Sequence, residues 1–214
     1  MSPSPEVKSS LLRQIQAAPS PTRSALRRRA VALLGFTLLC WVAAAWELGL
    51  GLERPLGYLV VTLVGWALIG AASSLISIAP GKMLGLPSSY LRMVVVAAPL
   101  LLTVLSLANQ LWSGLPDQCP GVSPIGARCR DIILGLAGIP LVLELLRRRG
   151  SDPVHPGWAG AALGVSAGAW AGLVISLSCE CTTPLHLLLG HVVPLIGLSC
   201  LGFIFGRFLL DVHL

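Results

Sequence analysis

Cysteine and histidine supply most of the reactive side chains in this chain, and they crowd into its second half. Cys119 and Cys129 stand ten residues apart, and Cys179-Glu180-Cys181 is followed at once by His186 and His191. Thiolates and imidazoles are the groups that hold zinc and soft metals, and a pair of thiols is also the raw material of a redox switch. The spacing, however, matches no standard zinc signature, and two histidines five apart are not on one face of an α-helix. The first expectation is therefore one or two structural disulfides, for example Cys129 to Cys179 or Cys181, with metal or redox sensing second. No metal or cofactor is expected. The remaining cysteines, Cys40 and Cys200, lie inside apolar runs and read as small, inert apolar residues.

The elements that must position these groups are apolar. The chain has 214 residues, is 55% hydrophobic and only 11% charged, far below the roughly 25% charge of a soluble domain. Six apolar runs follow one another: 30–46, 56–79, 93–112, 132–146, 158–177 and 185–205. Such runs predict membrane-spanning helices. The fourth is short, and its flanks Asp131 and Arg147 must reach the interface by snorkelling or local thinning of the bilayer. Lys8, Arg13, Arg23, Arg27, Arg28, Arg29, Lys82, Arg92, Arg147, Arg148, Arg149 and Arg207 fall on one side of this pattern. Only Arg54, Arg128 and Arg130 fall on the other. The positive-inside rule then places both termini in the cytoplasm and Cys119, Cys129, Cys179 and Cys181 outside. Arg27-Arg28-Arg29 before an apolar run resembles a signal-peptide start, but that run exceeds the usual ~7–15 residues, so no cleavage is expected. The fold class is an all-α integral membrane protein, a six-transmembrane helix bundle occupying residues 30–210. The net charge of +6 follows from topology and is not a nucleic-acid signal, because no folded basic module exists to carry one.

Within the fifth run Gly160, Gly164, Gly168 and Gly172 recur every four residues. In lipid, close backbone approach replaces the hydrophobic effect as the force between helices. This run is expected to be the central packing helix, with a homodimer interface as the alternative use of its glycines. Polar residues at mid-membrane are sparse, which disfavours the alternative of a small transporter or channel. A membrane redox or metal-binding protein built on the outer Cys/His group is the other alternative. No carboxylate–histidine–nucleophile set is suggested by spacing, so no catalytic residue is expected and the chain is not read as an enzyme.

The first 29 residues form a cytoplasmic tail. Ser4-Pro5-Glu6 is a helix start, and Ala17-Ala18-Pro19 an end, giving a short amphipathic helix over 5–17. Val7, Leu11, Leu12 and Ile15 share its apolar face. A helix of thirteen residues is marginal alone, so these four side chains need either the membrane surface or a groove on a partner protein.

Two stretches carry a family resemblance: 147–172 (RRRGSDPVHPGWAGAALGVSAGAWAG) and 179–195 (CECTTPLHLLLGHVVPL). With the short tail and six spans, they make the chain resemble the NrsF-like membrane anti-sigma factors, and most closely the CarR-type members of myxobacteria. The resemblance implies a regulator that holds an extracytoplasmic-function sigma factor at the inner membrane through its tail and releases it on a stimulus such as stress or light. It also implies sensing by outer cysteines. One departure is that Cys179-Glu180-Cys181 stands where the family pattern has a single cysteine.

Overall fold

A computed structural model of the chain describes residues 23–49, 55–78, 88–113, 126–149, 155–179, 181 and 183–211. These residues are 92% helical, with no strand among them. The helices are α1 (Arg23–Leu48), α2 (Leu56–Ile78), α3 (Ser88–Ser113), α4 (Ala127–Arg147), α5 (Pro156–Ser178), the short α6 (Pro184–Leu187) and α7 (Val193–Leu209). A π-helical turn, Leu188–Val192, joins α6 to α7, so that Pro184–Leu209 is one unbroken rod. The tail helix expected over 5–17, with Val7, Leu11, Leu12 and Ile15, lies outside the described residues.

Each expected apolar run coincides with a helix. Among the described residues, four stretches are long and apolar enough to cross a membrane: Leu56–Ser74, Ser89–Ala108, Pro156–Ser178 and Pro184–Leu209. Gly35–Leu48 is a shorter apolar stretch. In α4 the arginines and acids at both ends, within ARCRDIILGLAGIPLVLELLR, dilute an apolar centre.

The chain divides into two compact units, residues 1–38 and 39–214. The described part of the first is the opening of α1. In the second, α5 is the most buried helix, with Ala162, Val165, Ala169 and Ala171 fully enclosed. By contrast, large apolar side chains of its neighbours face outward, among them Leu68, Leu100, Leu111 and Phe208. A surface of this kind suits lipid and is uncommon on a monomer in water.

The glycine stripe explains the central position of α5. A Cβ on Gly160 would meet Gly202 and the Cα of Gly206, and one on Gly164 would meet the Leu198 backbone and the Cα of Ser199. Gly168 faces Leu195, and Gly172 receives the ring of Trp66 from α2. The stripe is thus filled within the chain, by α7 and Trp66. Ser199 Oγ adds a hydrogen bond to the Ala161 carbonyl at 3.4 Å.

The α4–α5 pair is built differently. Cys129, Ile133, Ala137, Leu141 and Leu145 recur every four residues along α4, and Ala159, Leu163, Ala167, Ala171 and Ile175 do so along α5; all ten belong to one core. Ridges of this spacing interlock in antiparallel helices. The α5 ridge continues by one more step to Cys179, which belongs to the same core. At the opposite end of α4, Glu144 pairs with both Arg147 and Arg148, so the half-buried acid is neutralised where the basic loop begins.

Candidate functional site

The two ridges deliver Cys129 and Cys179 to the same place. Their sulfurs lie 3.5 Å apart, and both are buried free thiols. The expected Cys129 bond to Cys179 or Cys181 is therefore not formed: the first pair is in contact but unbonded, and Cys181 is disulfide-bonded elsewhere. Cys119 lies outside the described residues.

The local backbone makes the meeting possible. α4 starts from Gly126, whose φ of 68° is left-handed. A Cβ at Gly126 would stand 2.7 Å from the Cα of Gly190. Two glycines thus let the start of α4 touch the π-helical turn backbone to backbone. After α5 ends, Cys179 is extended, and Thr183 and Pro184 open the next helix, proline standing at its first turn.

His186 and His191, expected on different faces, stand together. Five residues of regular α-helix turn the chain by about 500°, leaving two side chains about 140° apart. Yet the imidazole rings lie side by side, with centroids 5.6 Å apart. The reason is the π-helical turn, in which the Val193 N–H donates to the carbonyl of Leu188, five residues back. One residue more per turn brings positions i and i+5 onto the same side. Pro194 explains the widening. It has no N–H to give the Gly190 carbonyl, and its ring clashes with the carbonyl four residues before it in a regular helix.

The result is a compact cluster. Cys129 Sγ, Cys179 Sγ and one nitrogen each of His186 and His191 all lie within 4.8 Å of one another, and all four residues are buried. Cys179 Sγ is 3.1 Å from His186 Nε2. His191 Nδ1 is 3.4 Å from Ser176 Oγ, whereas its buried Nε2 has no hydrogen-bond partner. Leaving a buried polar atom unpaired costs about 1–3 kcal/mol. Around the cluster stand Tyr58, Thr62 and Trp66 of α2 and Ser106 of α3. The hydrogen bond from Cys129 holds the Cys179 thiol well below the usual range, assisted by His191 and His186. The same contact pushes Cys129 up. One sulfur is thereby favoured as thiolate and its neighbour as hydrogen-bond donor.

Of the residues singled out in the sequence, the structure brings together Cys129, Cys179, His186 and His191. Cys181 is close by, 1% exposed, its sulfur 3.4 Å from Thr183 Oγ1, but the disulfide removes it from the set of free ligands. Gly160, Gly164, Gly168 and Gly172 serve packing. Ser176, Gly126, Gly190 and Pro194 were not singled out as site residues. Pro194 carries a readable signal, a proline four residues after a glycine in an apolar run. The four-residue rhythm of the α4 and α5 ridges, ending on Cys129 and Cys179, is a second one.

The described residues thus form a helical bundle with four helices long and apolar enough to cross a membrane, a glycine-packed central helix and a buried thiol–imidazole cluster at one helix end, the features of a membrane-protein class. The family can be stated. The model for NrsF, negative regulator of sigma F, matches residues 15–211, and the chain belongs to that family. No curated protein and no solved structure matches it.

Proposed function

We propose that this chain is a membrane-bound anti-sigma factor, a binding regulator and not a catalyst. It sequesters an extracytoplasmic-function sigma factor at the bacterial inner membrane and releases it on a stimulus. Membership of a family of negative sigma-factor regulators, matched over residues 15–211, carries the reading. The organisation is a cytoplasmic tail of residues 1–29 followed by six spans within 30–210, with both termini in the cytoplasm. Lys and Arg placement supports that direction. The CarR-type subgroup is the nearest relation that the stretches 147–172 and 179–195 suggest, with light or chemical stress as the corresponding inputs.

In this reading the tail helix, through Val7, Leu11, Leu12 and Ile15, covers the surface by which the sigma factor engages polymerase. The helix-in-groove mode suits four apolar side chains spaced over two turns. A change at Cys129, Cys179, Cys181 and His186, on the outer side, weakens the hold.

The test is co-purification of the full-length protein from its own cells, with the eluate searched for any extracytoplasmic-function sigma factor. Wild type is expected to retain the sigma factor. Leu11→Asp combined with Leu12→Asp is expected to lose it, with the transcripts that the sigma factor controls rising in the cell. Failure of wild type to retain any sigma factor overturns the reading.

A further inference from the structure

We propose that Cys129, Cys179, His186 and His191 form a tetrahedral Zn2+ site that fastens the start of α4, the end of α5 and the π-helical turn together. The inference goes beyond the sigma-factor reading and stands whether or not the tail binds a sigma factor.

Three observations converge. First, the donor set is complete: two sulfurs and two imidazoles, one atom from each, within 4.8 Å of one another. In a tetrahedral zinc site sulfur atoms stand roughly 3.8 Å apart and sulfur and nitrogen roughly 3.6 Å. The Cys129–Cys179 sulfur pair at 3.5 Å and the Cys179–His186 pair at 3.1 Å fall a few tenths of an ångström short of those edges. Small outward movements of side chains open them. Second, His191 directs Nδ1 at Ser176 Oγ and keeps a buried, unpartnered Nε2. Metal-bound histidines are held in this way, one nitrogen on the ion and the other fixed by a neighbouring oxygen. Third, the chain goes to unusual lengths to align the histidines. The π-helical turn at 188–192 is what brings two residues of i, i+5 spacing together, and such turns are frequent at functional sites.

Charge selects the ion. Binding Zn2+ releases to solvent whatever protons the two sulfurs hold, so two thiolates, two neutral imidazoles and one divalent cation sum to zero. A monovalent soft ion would leave a buried net negative charge, which is costly. The competing use of the sulfurs is a Cys129–Cys179 disulfide. That bond would give neither histidine a reason to be there.

The full-length protein, purified in detergent with a tag that contains no histidine, is analysed for metal and titrated with Co2+. Wild type is expected to carry about one zinc per chain. Its cobalt form should show the strong visible bands of a tetrahedral centre and a sulfur-to-cobalt charge-transfer band. Cys129→Ser, Cys179→Ser, His186→Ala and His191→Ala should each bring zinc to background, while Cys40→Ser and Cys200→Ser retain it. Ser176→Ala, which leaves all four ligands, should weaken affinity by about 10–100-fold. The cobalt spectrum of wild type decides the matter even where a variant fails to fold. The proposal is overturned if wild type, after reduction and incubation with zinc, holds none and gives only octahedral cobalt. It is equally overturned if Cys129 and Cys179 are isolated as a disulfide that after reduction takes up no metal, or if the four ligand variants keep their zinc.

Discussion

At the residue scale Gly126 is constrained twice over. Its left-handed φ disfavours any side chain, and a Cβ there would stand 2.7 Å from the Gly190 Cα. Gly126→Ala is expected to cost about 1–2 kcal/mol for the backbone conformation alone, and the collision with Gly190 adds to it. Thermal unfolding in detergent should therefore show a lower midpoint for Gly126→Ala. Gly138→Ala, which meets nothing within 4 Å, should leave the midpoint unchanged. Ser176 also matters beyond its size: it is the neighbour that fixes which face His191 turns to the cluster.

At the element scale, α5 and α7 approach so closely that backbone meets backbone. A Cβ on Gly164 would stand 2.8 Å from Ser199 Cα, and no flexible side chain is there to yield. Gly164→Val is expected to destabilise by about 1–3 kcal/mol through overpacking, or to push the two helices apart. A loss of midpoint relative to Gly197→Ala, a site with open space, measures it. The packing role of this helix was legible in the sequence because four glycines at a spacing of four mean close helix approach in lipid; that the partner is α7 with Trp66, within the chain, was not. That each of the six apolar runs falls on a helix was legible from composition, but helix ends were not: Arg23–Leu48 and Ala127–Arg147 begin several residues before the runs 30–46 and 132–146. The cluster was only half legible. Its cysteines and histidines stood out by type, but an α-helical period was assumed for 185–205, and under that assumption His186 and His191 diverge. Only the widened turn reunites them. The expected neighbourhood of Cys129 and Cys179 is present, but as two free thiols in contact rather than a disulfide, and what brings them together is the ridge that each thiol ends. That relation is between helices, and the period within one segment does not reveal it.

At the scale of the whole molecule, the question is direction. The arginines at 147–149 close α4, and Glu144 binds two of them. Acidic residues weigh little in topology, so this pairing leaves the expected direction intact. Reporter fusions test it. A fluorescent protein at either terminus should light up, and an alkaline phosphatase inserted near residue 119 should be active. An active phosphatase at residue 1 would place the tail outside and remove the sigma factor from its reach. Because the Zn2+ site and the tail are read by different measurements, loss of one reading leaves the other standing.

The widened turn has a further consequence, which concerns phase. A rod that takes up one surplus residue in a single turn presents two sections rotated against each other, so that its first section and its last cannot share one hydrophobic stripe. Removing one residue from 188–192 and replacing Pro194, whose missing N–H opens the turn, would bring the sections back into step and leave an ordinary helix, as apolar as before and still long enough to cross a bilayer. What would vanish is the alignment of two imidazoles. At this place the number of residues and one proline together carry the information.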